Sequence, residues 1–185
     1  MDRVIARVRL SKIRGKITKN AKVLDLGCGY DGEFLQNLTD LIGRGVGMDL
    51  SVNKNSPSEN KGIIKLIQGR VDTPLPFPDN SFEVVTALAI IEHVVNPEMM
   101  LAEAYRVLKP QGVLLITTPS VWGKLPLEIM AAMKIISQDE INDHKRYYNR
   151  ASLAQAIEAA GFTRPKIKVE NFGIAWLNLF AQARK

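Results

Sequence analysis

The fold class predicted by this sequence is α/β: a doubly wound, mostly parallel sheet of seven strands with an antiparallel last strand and helices on both faces. Three observations carry the prediction. Short apolar runs alternate with helical patterns along the 185 residues, the arrangement that builds a parallel sheet between two helical layers. A glycine-rich turn, Gly27-Cys28-Gly29-Tyr30-Asp31-Gly32, links the first apolar run to the first helical one. The composition, 46% hydrophobic and 24% charged, supports a sizeable core and excludes a disordered, collagen-like or disulfide-dense chain. One domain is expected, since a domain typically holds ~100–200 residues.

In chain order, Lys22–Leu26 reads as a strand, Glu33–Ile42 as a helix, and Gly45–Met48, Ile63–Ile67 and Phe82–Ala87 as three further strands. The polar link between Asp49 and Ile63 barely reaches the length of a parallel crossover, about a dozen residues, so it is expected to be irregular. A helix over Pro97–Leu108 opens on a proline and stops at Lys109-Pro110. Val113–Thr117 is the fifth strand. The next helix starts after Asn149, a good N-cap, and closes at Gly161, with Leu153, Ala156, Ile157 and Ala160 on its apolar face. Lys166–Glu170 and Leu177–Ala183 read as a final hairpin at the sheet edge.

The densest chemical signal is Val23-Leu24-Asp25-Leu26-Gly27-Cys28-Gly29. Gly27, Gly29 and Gly32 satisfy G-x-G-x-x-G, and Asp49 stands near the end of the next strand, which by itself fits a dinucleotide site. Asp25 separates the alternatives. A carboxylate at the carboxyl end of the first strand would repel a pyrophosphate and attract a cation. A sulfonium-bearing nucleoside such as S-adenosylmethionine suits it, with its ribose on Asp49; a helix-capping aspartate beside a tight turn is the plain alternative.

The sequence resembles the class I S-adenosylmethionine-dependent methyltransferases over about residues 22–183. The resemblance runs through the glycine loop, Gly47-Met48-Asp49-Leu50-Ser51, Leu75-Pro76-Phe77-Pro78-Asp79-Asn80-Ser81-Phe82, Ile91-Glu92-His93-Val94, Arg106-Val107-Leu108-Lys109-Pro110, and His144-Lys145-Arg146-Tyr147-Tyr148 with Ala160-Gly161-Phe162. It implies a Rossmann-like fold and S-adenosylmethionine as cofactor, held by Asp25, Gly27, Cys28, Gly29, Tyr30, Asp49, Leu50, Val71, Asp72, Ala87 and Leu88. There are departures. Asp31 stands at a usual glycine, Gln111 replaces a turn glycine, and the stretch before Leu75-Pro76-Phe77 is one residue longer. Arg70 follows Gly69 where the family often has the acid that reads adenine, which moves that role to Asp72.

Methyl transfer is an in-line displacement in which the protein mainly positions the reactants and excludes water, so no catalytic triad is required. A base is needed only where the acceptor loses a proton. His144, in a polar-aromatic cluster with Tyr148, reads as a base or substrate ligand, or else as a hydrogen-bonded brace. His93, just past the fourth strand, reads as a catalytic part or as a helix-start residue. Neither histidine has partners for a metal site. Residues 122–136 form an apolar helix, Leu125, Ile129, Met133 and Ile136 on one stripe; it packs in the core, or lids a pocket for a lipid-like small-molecule acceptor. Two rivals are a non-catalytic S-adenosylmethionine-binding module and a nicotinamide-dependent oxidoreductase, the latter disfavoured by Asp25.

Charge is concentrated at the start. Residues 1–22 carry eight cations against Asp2 alone, so of the net +6 they hold +7 and residues 23–185 hold −1. Residues 1–21 read as a basic, amphipathic arm ahead of a methyltransferase domain over 22–185, with Val4, Ile5, Val8, Ile13 and Ile17 among the cations. It could cover the cofactor cleft, touch an anionic membrane surface, grip nucleic acid, or be a solvated tail. No aromatic residue interleaves the cations, which disfavours nucleic acid. The single cysteine, the lack of an N-terminal apolar stretch, and no apolar run near the ~20 residues of a bilayer span predict a soluble cytoplasmic protein. No oligomeric state is assigned.

Overall fold

The computed structural model describes residues 10–53, 62–123, 145–173 and 177–185. Within them lie seven strands: β1 (Lys22–Leu26), β2 (Arg44–Asp49), β3 (Ile64–Gln68), β4 (Phe82–Leu88), β5 (Leu108–Pro119), β6 (Ile167–Phe172) and β7 (Asn178–Arg184). They form one sheet in the order β3-β2-β1-β4-β5-β7-β6. β1 to β5 pair in parallel, and β7 runs antiparallel between β5 and β6. This is the predicted doubly wound sheet with a reversed last strand. The final hairpin does more than close an edge, because its second strand enters the sheet between β5 and the first.

Alternate residues of each strand serve opposite faces. On one face Leu24, Leu26, Val85, Ala87, Leu114 and Ile116 pack with α2 (Pro97–Val107) and α3 (Arg150–Ala159). On the other, Val23, Val84, Val113 and Leu115 pack with α1 (Glu33–Gln36) and the turns after it. Residues 10–21, the described part of the basic segment, also lie on this second face. Residues 10–14 are helical, Ile13 is fully buried, and Ile17 is nearly so. Lys12 pairs with Glu170 at 2.6 Å and sits over the Phe180 ring, while Arg14 pairs with Asp40.

The helices follow local chemistry. Asn96 accepts from Met99 N at 3.0 Å and Pro97 takes the first turn of α2. Asn149 and Ser152 exchange side-chain and backbone hydrogen bonds at the start of α3, a capping box. α1 is shorter than the predicted Glu33–Ile42. Its continuation is a run of turns, because the Asn37 amide donates to Glu33 O and the Thr39 hydroxyl to Gln36 O, and such side chains compete with the helical ladder. β5 begins five residues earlier than predicted: Leu108 pairs with Phe82, then the register shifts so that Val113 meets Val84. Gln111, within that irregularity, takes a left-handed φ of 67°.

Arg106 ties the Leu75–Asp79 stretch to α2. From α2 it donates to Phe77 O and Leu75 O and pairs with Glu103 and Asp79, while Glu103 accepts from Leu75 N at 2.6 Å. Residues 1–9, the link over 54–61, the predicted helical stripe from Leu125 to Ile136, and His144 lie outside the described residues.

Candidate functional site

The carboxyl ends of β1, β2 and β4 converge, and the register sets Asp25 opposite Gly47 on one side and Thr86 on the other. Asp25 is 2% exposed, and the Thr86 hydroxyl donates to its Oδ1 at 2.6 Å. Burial pushes the Asp25 carboxyl up to about 7; the Thr86 hydrogen bond opposes the rise and the Asp49 charge adds to it. Thr86 has no role in the sequence reading, although it interrupts the apolar run of β4 and so carries a signal. Burial, together with the Asp25 and Asp49 charges, also pushes the Cys28 thiol up. Cys28 is therefore a protonated, buried packing residue of the loop.

The glycine loop turns back over β2. Gly27 N and Cys28 N both donate to Met48 O, at 2.8 and 3.3 Å, and Gly29 N donates to Asp49 Oδ2 at 2.9 Å. Two glycines are dictated by this path for different reasons. Gly27, at φ 75°, has no room for a Cβ, which would fall 2.6 Å from Ile90. Gly29, at φ 72°, faces open space, so its bare backbone is free for a ligand to approach. Tyr30 and Leu50, 57% and 64% exposed, stand on the two chain segments joined by the Gly29–Asp49 bond. A latch fixes the same pair of segments: Asn53 Nδ2 donates to Asp31 Oδ1 at 2.9 Å, and Asn53 N to Tyr30 O at 2.7 Å.

These groups fit S-adenosylmethionine. A buried carboxylate able to take a positive charge, a second carboxylate with lone pairs left for ribose hydroxyls, an open glycine and flanking exposed side chains match its cationic and nucleoside parts.

Val71 is buried in the first core, and Gly69 N donates to Asp49 O at 2.8 Å, keeping this stretch beside β2. Asp72 has its Oδ2 engaged by Arg70, Val95 N and Asn96 N at 2.9, 3.0 and 3.3 Å. That oxygen braces the start of α2, and the donors hold the carboxyl below the usual carboxylate range against the effect of burial. Ala87 is buried opposite Leu26, and Leu88 is half-buried opposite Thr117.

A second group gathers at the carboxyl ends of β4 and β5. Glu92, 1% exposed, accepts from the Thr118 hydroxyl at 3.0 Å, and its backbone carbonyl accepts from Lys145 N at 2.8 Å. Lys145 Nζ donates to His93 O. Tyr148 is buried, bridges to Ser120, and accepts from Val121 N at 2.9 Å through its carbonyl. Burial raises the Tyr148 phenol, partly offset by Arg146, which pairs with Glu98 at 2.8 Å. His93 and Tyr148 are thus brought to one end of the sheet. Glu92 and Thr118 also meet here, which their sequence surroundings do not show, since a buried glutamate there looks no different from an exposed one.

Against known proteins, residues 1–164 match the family of the methyltransferase domain. A demethylmenaquinone methyltransferase of Geobacillus stearothermophilus is 29% identical over 191 residues, covering 90% of this chain and 81% of that one. A sterol 24-C-methyltransferase of Neurospora crassa is 33% identical over 103 residues, 52% of this chain and 27% of that one. Among solved structures, a SAM-dependent methyltransferase of Thermotoga maritima shares the fold with a TM-score of 0.73 over 97% of this chain and 89% of that one, at 19% identity.

Proposed function

This chain belongs to the class I S-adenosylmethionine-dependent methyltransferases, and we propose that it methylates a small, apolar or lipid-like acceptor by in-line displacement. The observation that carries the cofactor half of this reading is the buried Asp25–Thr86 pair beside the Asp49–Gly29 contact. When bound, S-adenosylmethionine supplies an activated methyl group. Asp25 provides negative charge toward the cationic end, Asp49 accepts from hydroxyls, and the Gly27–Gly29 backbone holds the loop against β2. Asp72 is kept as the adenine-side acid through its other oxygen.

Two observations support the acceptor class. Trp122 is 76% exposed and Val121 is also exposed, both directly after β5, where Val121 N donates to the Tyr148 carbonyl. The relatives named above act, by name, on a demethylmenaquinone and a sterol. On this reading His93, Tyr148 and His144 serve the acceptor side, taking a proton where the acceptor must lose one. Among the described residues no helix is long and apolar enough to cross a membrane.

Incubating cell extract with the protein and methyl-labelled S-adenosylmethionine, followed by mass spectrometry, tests the proposal. Label in an apolar small molecule is expected. Label confined to small polar acids would overturn the acceptor class. Calorimetric binding of S-adenosylmethionine with no methyl transfer to any extract component would favour a non-catalytic module.

A further inference from the structure

A groove of about 640 Å³ opens between the start of α3 and the β6–β7 pair, and none of the cofactor residues lines it. Half-buried Ile167 and Val169, with Leu179 buried behind them, give it an apolar strip, and Ser120, Asn149 and Asn171 add polar groups. Its rim carries two guanidinium groups, Arg150 and Arg164, and Trp122 stands at the end nearest the carboxyl terminus of β5. The volume is in the range of small-molecule sites, roughly 300–1,000 Å³.

The charge around the groove is one-sided. No aspartate or glutamate is among its described lining residues. Among the described residues, Arg14, Arg70, Arg106 and Arg146 each have an acid within an ion-pair contact, whereas Arg44, Arg184 and Arg150 do not, and of these three only Arg150 lines the groove. Arg164 has only a 3.7 Å contact to Glu158 with both side chains about half exposed. A pair so exposed contributes little and gives way readily to a better partner. Guanidinium groups present a planar fork that matches a carboxylate or phosphate in two parallel hydrogen bonds. An apolar strip beneath such a fork asks for a ligand with an apolar body and an anionic end.

We propose that this groove is a binding site for an amphipathic oxyanion, its carboxylate or phosphate on Arg150 and Arg164 and its apolar body on Ile167, Val169 and Leu179. The groove holds none of the cofactor residues and shares Trp122 with the acceptor side described above, while the oxyanion end on Arg150 and Arg164 goes beyond the methyl-transfer reading.

The test uses the full chain carrying Trp176→Phe, which leaves Trp122 as its only tryptophan, and follows its emission. Decanoate and decyl phosphate, below their micelle concentrations, are expected to give saturable changes. Decanol, lacking the anion, and inorganic phosphate, lacking the apolar body, are expected to bind at least tenfold more weakly. Arg150→Gln with Arg164→Gln should weaken decanoate by at least tenfold, and Arg150→Lys, keeping charge without the fork, should recover part of it. Calorimetry with S-adenosylmethionine on the same variants separates loss of the groove from loss of the fold. Equal binding of decanol and decanoate, phosphate as tight as decanoate, or a double variant that binds like the parent would each overturn the proposal.

Discussion

Asp25 links the protonation of the site to what the site binds. Its carboxyl, pushed up to about 7 by burial, is neutral below that pH and then attracts no cation. Affinity for S-adenosylmethionine should therefore fall by about tenfold per pH unit below 7, the slope of one linked proton. Calorimetry at pH 6 in buffers of different ionisation enthalpy should record release of about one proton. Stability moves the opposite way. The folded-state pKa lies above the ordinary value of 3.8, so the contribution of Asp25 is full below 3.8 and is lost as pH rises through 7. Asp25→Asn should thus melt higher than the parent at pH 8 while binding the cofactor at least tenfold more weakly. Thr86→Val removes the hydroxyl that donates to Oδ1. It should shift the affinity profile to higher pH, since the ionised form loses its hydrogen bond; an unmoved profile would detach Thr86 from the titration. Asp25 and Asp49 were legible in the sequence because strand ends can be read from apolar runs. Thr86 and Glu92 were not, since their importance comes from register and burial that only the folded sheet creates.

Among the elements, the start of β5 and the start of α3 make the sharpest local statements. Gln111 sits at a φ of 67°, a conformation that costs an L-residue roughly 1–2 kcal/mol. Gln111→Gly relieves this against about 0.5–1 kcal/mol of glycine entropy, so a net gain of roughly 0.5–1 kcal/mol is expected in urea unfolding. Gln111 stands where the family usually has a glycine, and this left-handed backbone is the reason a glycine is usual there. Asn149→Ala deletes half of the α3 capping box and should cost about 1 kcal/mol in the same measurement. Strand positions were largely legible because alternation and β-branched content coincide with burial. The end of α1 was not, because Leu38 and Ile42 keep helical spacing and are buried although the chain between them has left the helix: apolar periodicity records burial, whichever backbone achieves it.

At the scale of the molecule, the sheet separates two cores, and the second includes Ile13, Ile17 and Ala21. Ile13→Ala should therefore cost about 2–5 kcal/mol, as for other fully buried aliphatic truncations, read as a lower urea midpoint with an unchanged slope. A loss under 0.5 kcal/mol would mean that these residues dock only loosely. From sequence alone an amphipathic basic stretch looks the same whether its apolar face meets a membrane or its own domain, because spacing specifies a buried face and says nothing of what buries it. The doubly wound class was legible for the opposite reason: crossover connections leave few alternatives once strands and helices alternate. The place of β7 has a kinetic meaning. Residues 178–184 fill the gap between β5 and β6, pairing with both, so a growing chain has β5 well before it has the strand that pairs with it, and β6 only just before. Until then β5 presents an open edge, the kind of surface that recruits another chain. Assembly of this sheet is thus completed from its interior, and its vulnerable interval on the way to the native state lasts until that strand is inserted.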